Sequence, residues 1–224
     1  ALTVDALKAF SPNQLTALTT AQIGAITATQ APGLGSDQSS VLTPAQIAAI
    51  SSKNIKAFTT EFIAGITDSK AIAALSPKAF SLLTDQQLTG LTVDQAPFIT
   101  SAQIKALKPA QILKLDSEDI ALLSNSAIAG FTQANMSGLT LSYLSGDGQI
   151  SALTSTQFGY IKPADIAKID ATGAELLTPK IMAALTVDQV KAITVEALAA
   201  IDPLAIAGLT AKNIIGLTNA QITA

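Results

Sequence analysis

The 224-residue chain contains no cysteine, no histidine and no tryptophan, and its thirteen basic residues are all lysine, so arginine is missing as well. Losing histidine and cysteine removes the commonest metal ligands, the proton carrier of neutral pH and the thiol nucleophile. Losing arginine removes the bidentate reader of phosphate and guanine. A chain with net charge −3 and 4% aromatic residues then has little with which to hold nucleic acid. Charge of either sign is scarce, at 13% of residues against roughly 25% in ordinary soluble proteins, so electrostatic steering of a partner is not expected. No disulfide framework is possible. Long apolar runs are absent too, because Thr, Ser, Asp, Gln or Lys interrupts every few positions, and no stretch reaches the roughly eighteen residues that would suggest membrane insertion. The start, Ala1-Leu2-Thr3-Val4-Asp5, has no basic region followed by an apolar run, so no signal peptide is expected there. The 49% of apolar residues therefore reads as a protein core.

What the chain has in abundance is an eight-residue pattern. Leu2, Phe10, Leu18, Ile26, Leu34, Leu42, Ile50, Phe58 and Ile66 form one register. After one extra residue the series resumes at Leu75 and runs to Leu139, and after an interruption around Gly146-Asp147-Gly148-Gln149 it continues from Leu153 to Leu217. All twenty-seven first positions are Leu, Ile or Phe. The second position is Thr, Ser or Asp except at Gly35, Lys108 and Lys162; these side chains accept free amides at a helix start. Pro12, Pro44, Pro77, Pro109, Pro163, Pro179 and Pro203 all occupy the third position. That is the first helical residue, where a missing N–H costs nothing. Gln fills nearly half of the fifth positions, as in Thr43-Pro44-Ala45-Gln46, which is the spacing of a capping box. Acids such as Glu61, Asp94, Glu118, Asp188 and Glu196 stand in the first turn, and Lys8, Lys56, Lys105 and Lys191 near the far end, both placements suiting the helix dipole. Position six is mostly large and apolar, and position eight is usually Ala or Gly.

Each interval leaves room for about six helical residues, or ~9 Å of helix, too little to persist alone in water. Position six and the next first position are three apart and share a face, so each unit has two large side chains to bury against other units. The pattern predicts an all-α solenoid of very short helices, one per eight-residue repeat, forming a single domain over 1–224. Irregularities at 34–41, 66–74 and 143–152 are expected to be kinks or exposed loops. A single long helix is excluded by prolines and caps recurring in phase. A parallel β-helix is the alternative, suited to Thr, Ile and Val but leaving the in-phase prolines without a role.

Few residues invite a chemical reading. Gly146-Asp147-Gly148-Gln149-Ile150-Ser151 looks like the middle of a calcium loop, but Tyr143, Ser145 and Thr154 stand where flanking ligands belong. A turn closing an irregular repeat is the simpler account. Asp116, Glu118 and Asp119 form the densest carboxylate cluster, and the repeat frame makes them an N-cap and two first-turn acids. The regular threonines could offer a hydroxyl array, yet capping consumes those hydroxyls. Tyr143, Tyr160, Phe62 and Phe98 could mark a binding patch or repair packing. No catalytic, cofactor-binding or metal residue is assigned, and the chain is expected not to be an enzyme.

The string Leu42-Thr43-Pro44-Ala45-Gln46-Ile47-Ala48-Ala49-Ile50 resembles the opening of a transcription-activator-like effector repeat, but that family has a much longer period and a basic surface. A likeness covering nearly the whole chain is to the short-period Leu-Thr-x-x-Gln-Ile-x-Ala repeat regions of large bacterial secreted or surface proteins. Leu18-Thr19-Thr20-Ala21-Gln22-Ile23-Gly24-Ala25 and Leu185-Thr186-Val187-Asp188-Gln189-Val190-Lys191-Ala192 are similar to that consensus. The resemblance implies an extracellular or bacterial cell-surface fragment of a larger protein. Its expected role is that of a non-catalytic spacer, scaffold or adhesive, with a protein partner or end-to-end self-association. A secreted effector-type solenoid that binds one protein is the alternative.

Overall fold

The computed structural model describes residues 3–144 and 148–223, with the side chains of Ser69 and Ser142 left aside. All regular structure among the described residues is helical: twenty-three α-helices of four to six residues and five 3-10 turns, without a strand. The fold is an all-α solenoid of very short helices, and the β-helix alternative falls. The caps form as the repeat requires. Thr19 is extended (φ −71, ψ 158), its hydroxyl accepts the Gln22 amide at 3.2 Å, and Gln22 Oε1 accepts the Thr19 amide at 2.8 Å. The same box closes at Thr43/Gln46, Thr100/Gln103 and Thr186/Gln189. At the far end the first residue of the next repeat takes an extended conformation, as at Leu107 and Ile193, and redirects the chain.

The chain divides into two compact units, Ala1–Gly130 and Phe131–Ala224, and one stacking rule operates inside each. A helix lies on the helix three repeats later: 44–48 on 69–74 and 77–80 on 101–106 in the first unit, 155–159 on 179–184 and 163–166 on 187–192 in the second. Three repeats, about twenty-four residues, therefore make one turn. Positions six and one fill the interior between turns, as Ile47 with Ile50, Ile104 with Leu107 and Val190 with Ile193 show, all buried. Position eight lies against the first helical residue three repeats earlier. A Cβ added to Gly208 would come within 2.6 Å of Pro179 Cα, and one added to Gly130 within 2.7 Å of Ser101 Cα, so the backbones touch where the sequence allows only a small side chain.

The buried polar groups form a ladder between turns. Gln46 Nε2 donates to the carbonyls of Leu15 at 3.0 Å and Leu18 at 2.8 Å. Gln87 repeats this with Ile55 and Phe58, Gln95 with Ile63 and Ile66, and Gln103 with Ile72 and Leu75. In the second unit Gln189 donates to Phe158 and Ile161, Asn213 to Met182 and Leu185, and Gln221 to Val190 and Ile193. The acceptors are the position-six carbonyl of one repeat and the position-one carbonyl of the next. The latter lies between two helices and receives no backbone N–H at Phe58, Leu75, Ile161 or Leu185, so the amide from the following turn satisfies a group that burial would otherwise penalise.

The irregular stretches are more regular than expected. The repeat 34–41 is not a loop: Gly35 has no hydroxyl, but its amide still donates to Gln38 Oε1 at 2.9 Å, and helix Ser36–Ser39 forms with Ser39 buried in the apolar position. The extra residue near 66–74 moves the cap from Thr67 to Asp68, whose carboxylate accepts the Lys70 amide, and helix Ser69–Ala74 follows with Ala71 and Ile72 buried. Residues 149–152 are a helix with Gln149 and Ile150 buried. They stand as positions five and six ahead of Leu153, so much of the 143–152 interruption belongs to a further repeat. Besides the 3-10 turn at 141–143, four repeats tighten into 3-10 turns at 31–33, 55–57, 96–98 and 214–216. Two contain Pro32 and Pro97, which lack the N–H that closes an α-turn. The other two carry Asn54 and Asn213 in the Gln position, one methylene shorter and still bonded to the preceding turn. Charge contributes little, since the ion pairs Lys114–Asp85 and Lys168–Asp165 are both solvent-accessible.

Two substitutions test this architecture. Gln103→Ala removes a cap acceptor and the donor to two buried carbonyls, and should cost about 2 kcal/mol or more. Gln22→Ala, whose side chain is exposed, should cost about 1 kcal/mol, that of the cap alone. Urea denaturation followed by circular dichroism gives both values, and equal losses would remove the cross-turn role. Gly208→Ala should destabilise by about 1–3 kcal/mol through overpacking, read as a lower melting temperature.

Candidate functional site

The position-five ladder is where the chain concentrates its buried polar chemistry, and one rung is anomalous. Asp119 occupies the Gln position, is 2% exposed, and its Oδ2 has no hydrogen-bond partner. The offset followed by Gln103 and its neighbours assigns the carbonyls of Leu88 and Leu91 to this rung. An ionised carboxylate can only accept, so it cannot satisfy them; a protonated one can donate. Burial raises the Asp119 pKa first, the negative charge of Asp116 adds to it, the amide hydrogen bond at Asp116 opposes it and Glu118 adds a smaller push, moving it from 3.8 to about 6.

The three carboxylates of this cluster thus separate by role. Asp116 is the N-cap, accepting the Asp119 amide at 2.8 Å, and Glu118 is exposed. Asp119 is the first-turn acid that the repeat frame suggests, and it is also buried, because position five faces inward. Twelve fifth positions hold Gln, and that pattern could have marked Asp119 as a rung, but the capping box already explained the glutamines locally and hid their second role.

The other candidates are scattered. Phe62 is fully buried and packs against Phe58 with ring centroids 4.4 Å apart, so it belongs to the core, whereas Phe98, Tyr143 and Tyr160 are exposed. The threonine hydroxyls at 19, 43, 84, 100 and 186 accept helix amides as caps. The calcium-loop reading rests on Gly146 and Asp147, which lie outside the described residues; Gly148 itself is left-handed (φ 74) and precedes helix 149–152. Exposed Glu61 has its pKa lowered by hydrogen bonds from its own amide and from Thr59. A small cavity of about 160 Å³ in the second unit is lined by the apolar Leu141, Leu144, Ile150, Ile169 and Leu176 together with Gly173 and the polar Lys168, Asp170 and Thr172. Among the described residues no group of three or more His, Cys, Asp or Glu could share a metal ion, and no helix is long and apolar enough to cross a membrane. No family model matches the chain, and no curated protein matches it.

The raised Asp119 pKa sets the sign of a pH effect. The folded state holds this proton more tightly than the unfolded chain, so its stabilising contribution is complete below about pH 3.8 and is lost as pH rises through about 6. Asp119→Gln should therefore stabilise the 1–130 unit on the order of 2 kcal/mol at pH 8 and much less at pH 4. Urea midpoints at the two pH values decide it; an equal gain at both would show that Asp119 ionisation is irrelevant.

Proposed function

We propose that the chain is a non-catalytic structural repeat region, a spacer or scaffold of a bacterial extracellular or surface protein that can also present an adhesive face to another protein. The carrying observation is the use to which its polar side chains are put. Hydroxyls cap helices, and buried amides join turns, so the repeated chemistry is spent on architecture. The short-period repeats it resembles in secreted and surface proteins support the location. The exposed Tyr143 and Tyr160 and the mixed apolar and polar cavity beside Leu141 favour a second reading, an effector-type solenoid that holds one protein partner there.

A display experiment separates the two. The full chain is presented on a bacterial surface through an unrelated anchor, with a reporter fused beyond it. The scaffold reading expects the reporter to remain accessible when the three in-register repeats 75–98 are deleted, and surface substitutions to leave presentation unchanged. Stoichiometric capture of a single protein, lost with Tyr143→Ala and kept after deletion of 75–98, would overturn it in favour of the effector.

A further inference from the structure

The rung at Asp119, in the middle of the first unit, differs from its neighbours in what its innermost atom can do. One carboxylate oxygen accepts the Asp116 amide, as Gln103 Oε1 accepts the Thr100 amide. That closes the box and leaves Oδ2 at the corner that a carboxamide nitrogen fills elsewhere. At Gln103 this nitrogen stands 2.9 Å from the Ile72 carbonyl and 2.8 Å from that of Leu75, 31 and 28 residues earlier. The same two offsets from Asp119 lead to Leu88 and Leu91. All three residues are buried, Oδ2 has no hydrogen-bond partner, and no described backbone N–H donates to the Leu91 carbonyl. Neither ion pair among the described residues involves Asp119. Asn213 is equally short, yet it reaches its carbonyls from a repeat tightened into a 3-10 turn; Asp119 lies in the α-helix Ser117–Leu122.

We propose that Asp119 Oδ2 and the carbonyls of Leu88 and Leu91 hold one small monovalent metal cation, of the size of sodium, in the place of the missing amide nitrogen. The methylene that aspartate lacks relative to glutamine provides the room. Three acceptors meet there, and a water has only two hydrogens to offer them and no positive charge. A cation satisfies all three oxygens at once, and carboxylate and carbonyl oxygens suit hard ions. A single carboxylate balances a single charge, whereas a divalent ion would bury an uncompensated one. The burial and the neighbouring Asp116 and Glu118 charges that make Asp119 hold its proton also favour a metal cation in the proton's stead. Because two of the ligands are main-chain oxygens, the site needs no cluster of metal-binding side chains. It goes beyond the scaffold reading, which a chain indifferent to cations would satisfy equally well.

Hydrogen exchange read by mass spectrometry on the 224-residue chain at about pH 8 tests the site. Sodium chloride is compared with tetramethylammonium chloride at the same ionic strength, the latter cation being too large to enter. Exchange over 85–98 and 116–122 should slow by about tenfold once sodium reaches roughly ten times its dissociation constant, following a saturating curve, while 187–200 in the second unit exchanges alike in both salts. Asp119→Gln installs the prevailing residue of the fifth position and brings its own donor, so it should fold and be protected without sodium, and its exchange should no longer respond to the ion. Asp94→Asn, which removes an exposed acid from the same stretch, should keep the parent's response. Equal exchange in the two salts would overturn the proposal, as would a sodium effect that persists in Asp119→Gln or spreads equally to 187–200. A response to calcium but not to sodium would overturn it in favour of a divalent site.

Discussion

A carboxamide at the fifth position of the repeat bonds in two directions, and the rest of the structure depends on that geometry. Its oxygen accepts the amide that begins its own helix, and its nitrogen donates to the joint between two helices one turn earlier. A helix of four to six residues is far below the length that survives alone. The same residue that starts the helix also fastens it to a neighbour, so local and tertiary order arise together. Apolar burial at positions six and one supplies the attraction; the amide supplies the register.

This arrangement accounts for the unusual composition. A ladder of neutral amides needs no counter-charge, so the interior takes polar groups without the desolvation cost of ions, and the surface needs few charges to support a fold held from within. Asp119 shows what the ladder excludes. A carboxylate fits the space, yet it brings an acceptor where a donor is needed, and the protein accommodates it by holding its proton more tightly.

The parts of the fold that are local were legible in the sequence. Caps at Thr43 and Thr186, prolines at the first helical position and one helix per octad all follow from residues within a few positions of one another. The number of repeats per turn was not, for a physical reason: in a nearly periodic chain, contacts two, three or four repeats away pair the same residue types, so the pattern cannot distinguish them. The irregular segments misled because a missing hydroxyl at Gly35 and the glycines around Asp147 looked like lost helices. Gln38 alone preserves half of the box, and Gln149-Ile150-Ser151-Ala152 carries the later half of the consensus. The inward role of Asp119 was hidden by the adequacy of its capping explanation.

The amides of the ladder all point toward lower residue numbers, most of them by 28 to 32 residues. During synthesis the acceptors of a turn therefore leave the ribosome before their donors, and every emerging helix finds a finished surface waiting for it. The main helix-to-helix contacts within each unit join elements about three repeats apart, which keeps the search small. The solenoid can be built in the order in which it is translated, each turn serving as the template for its successor.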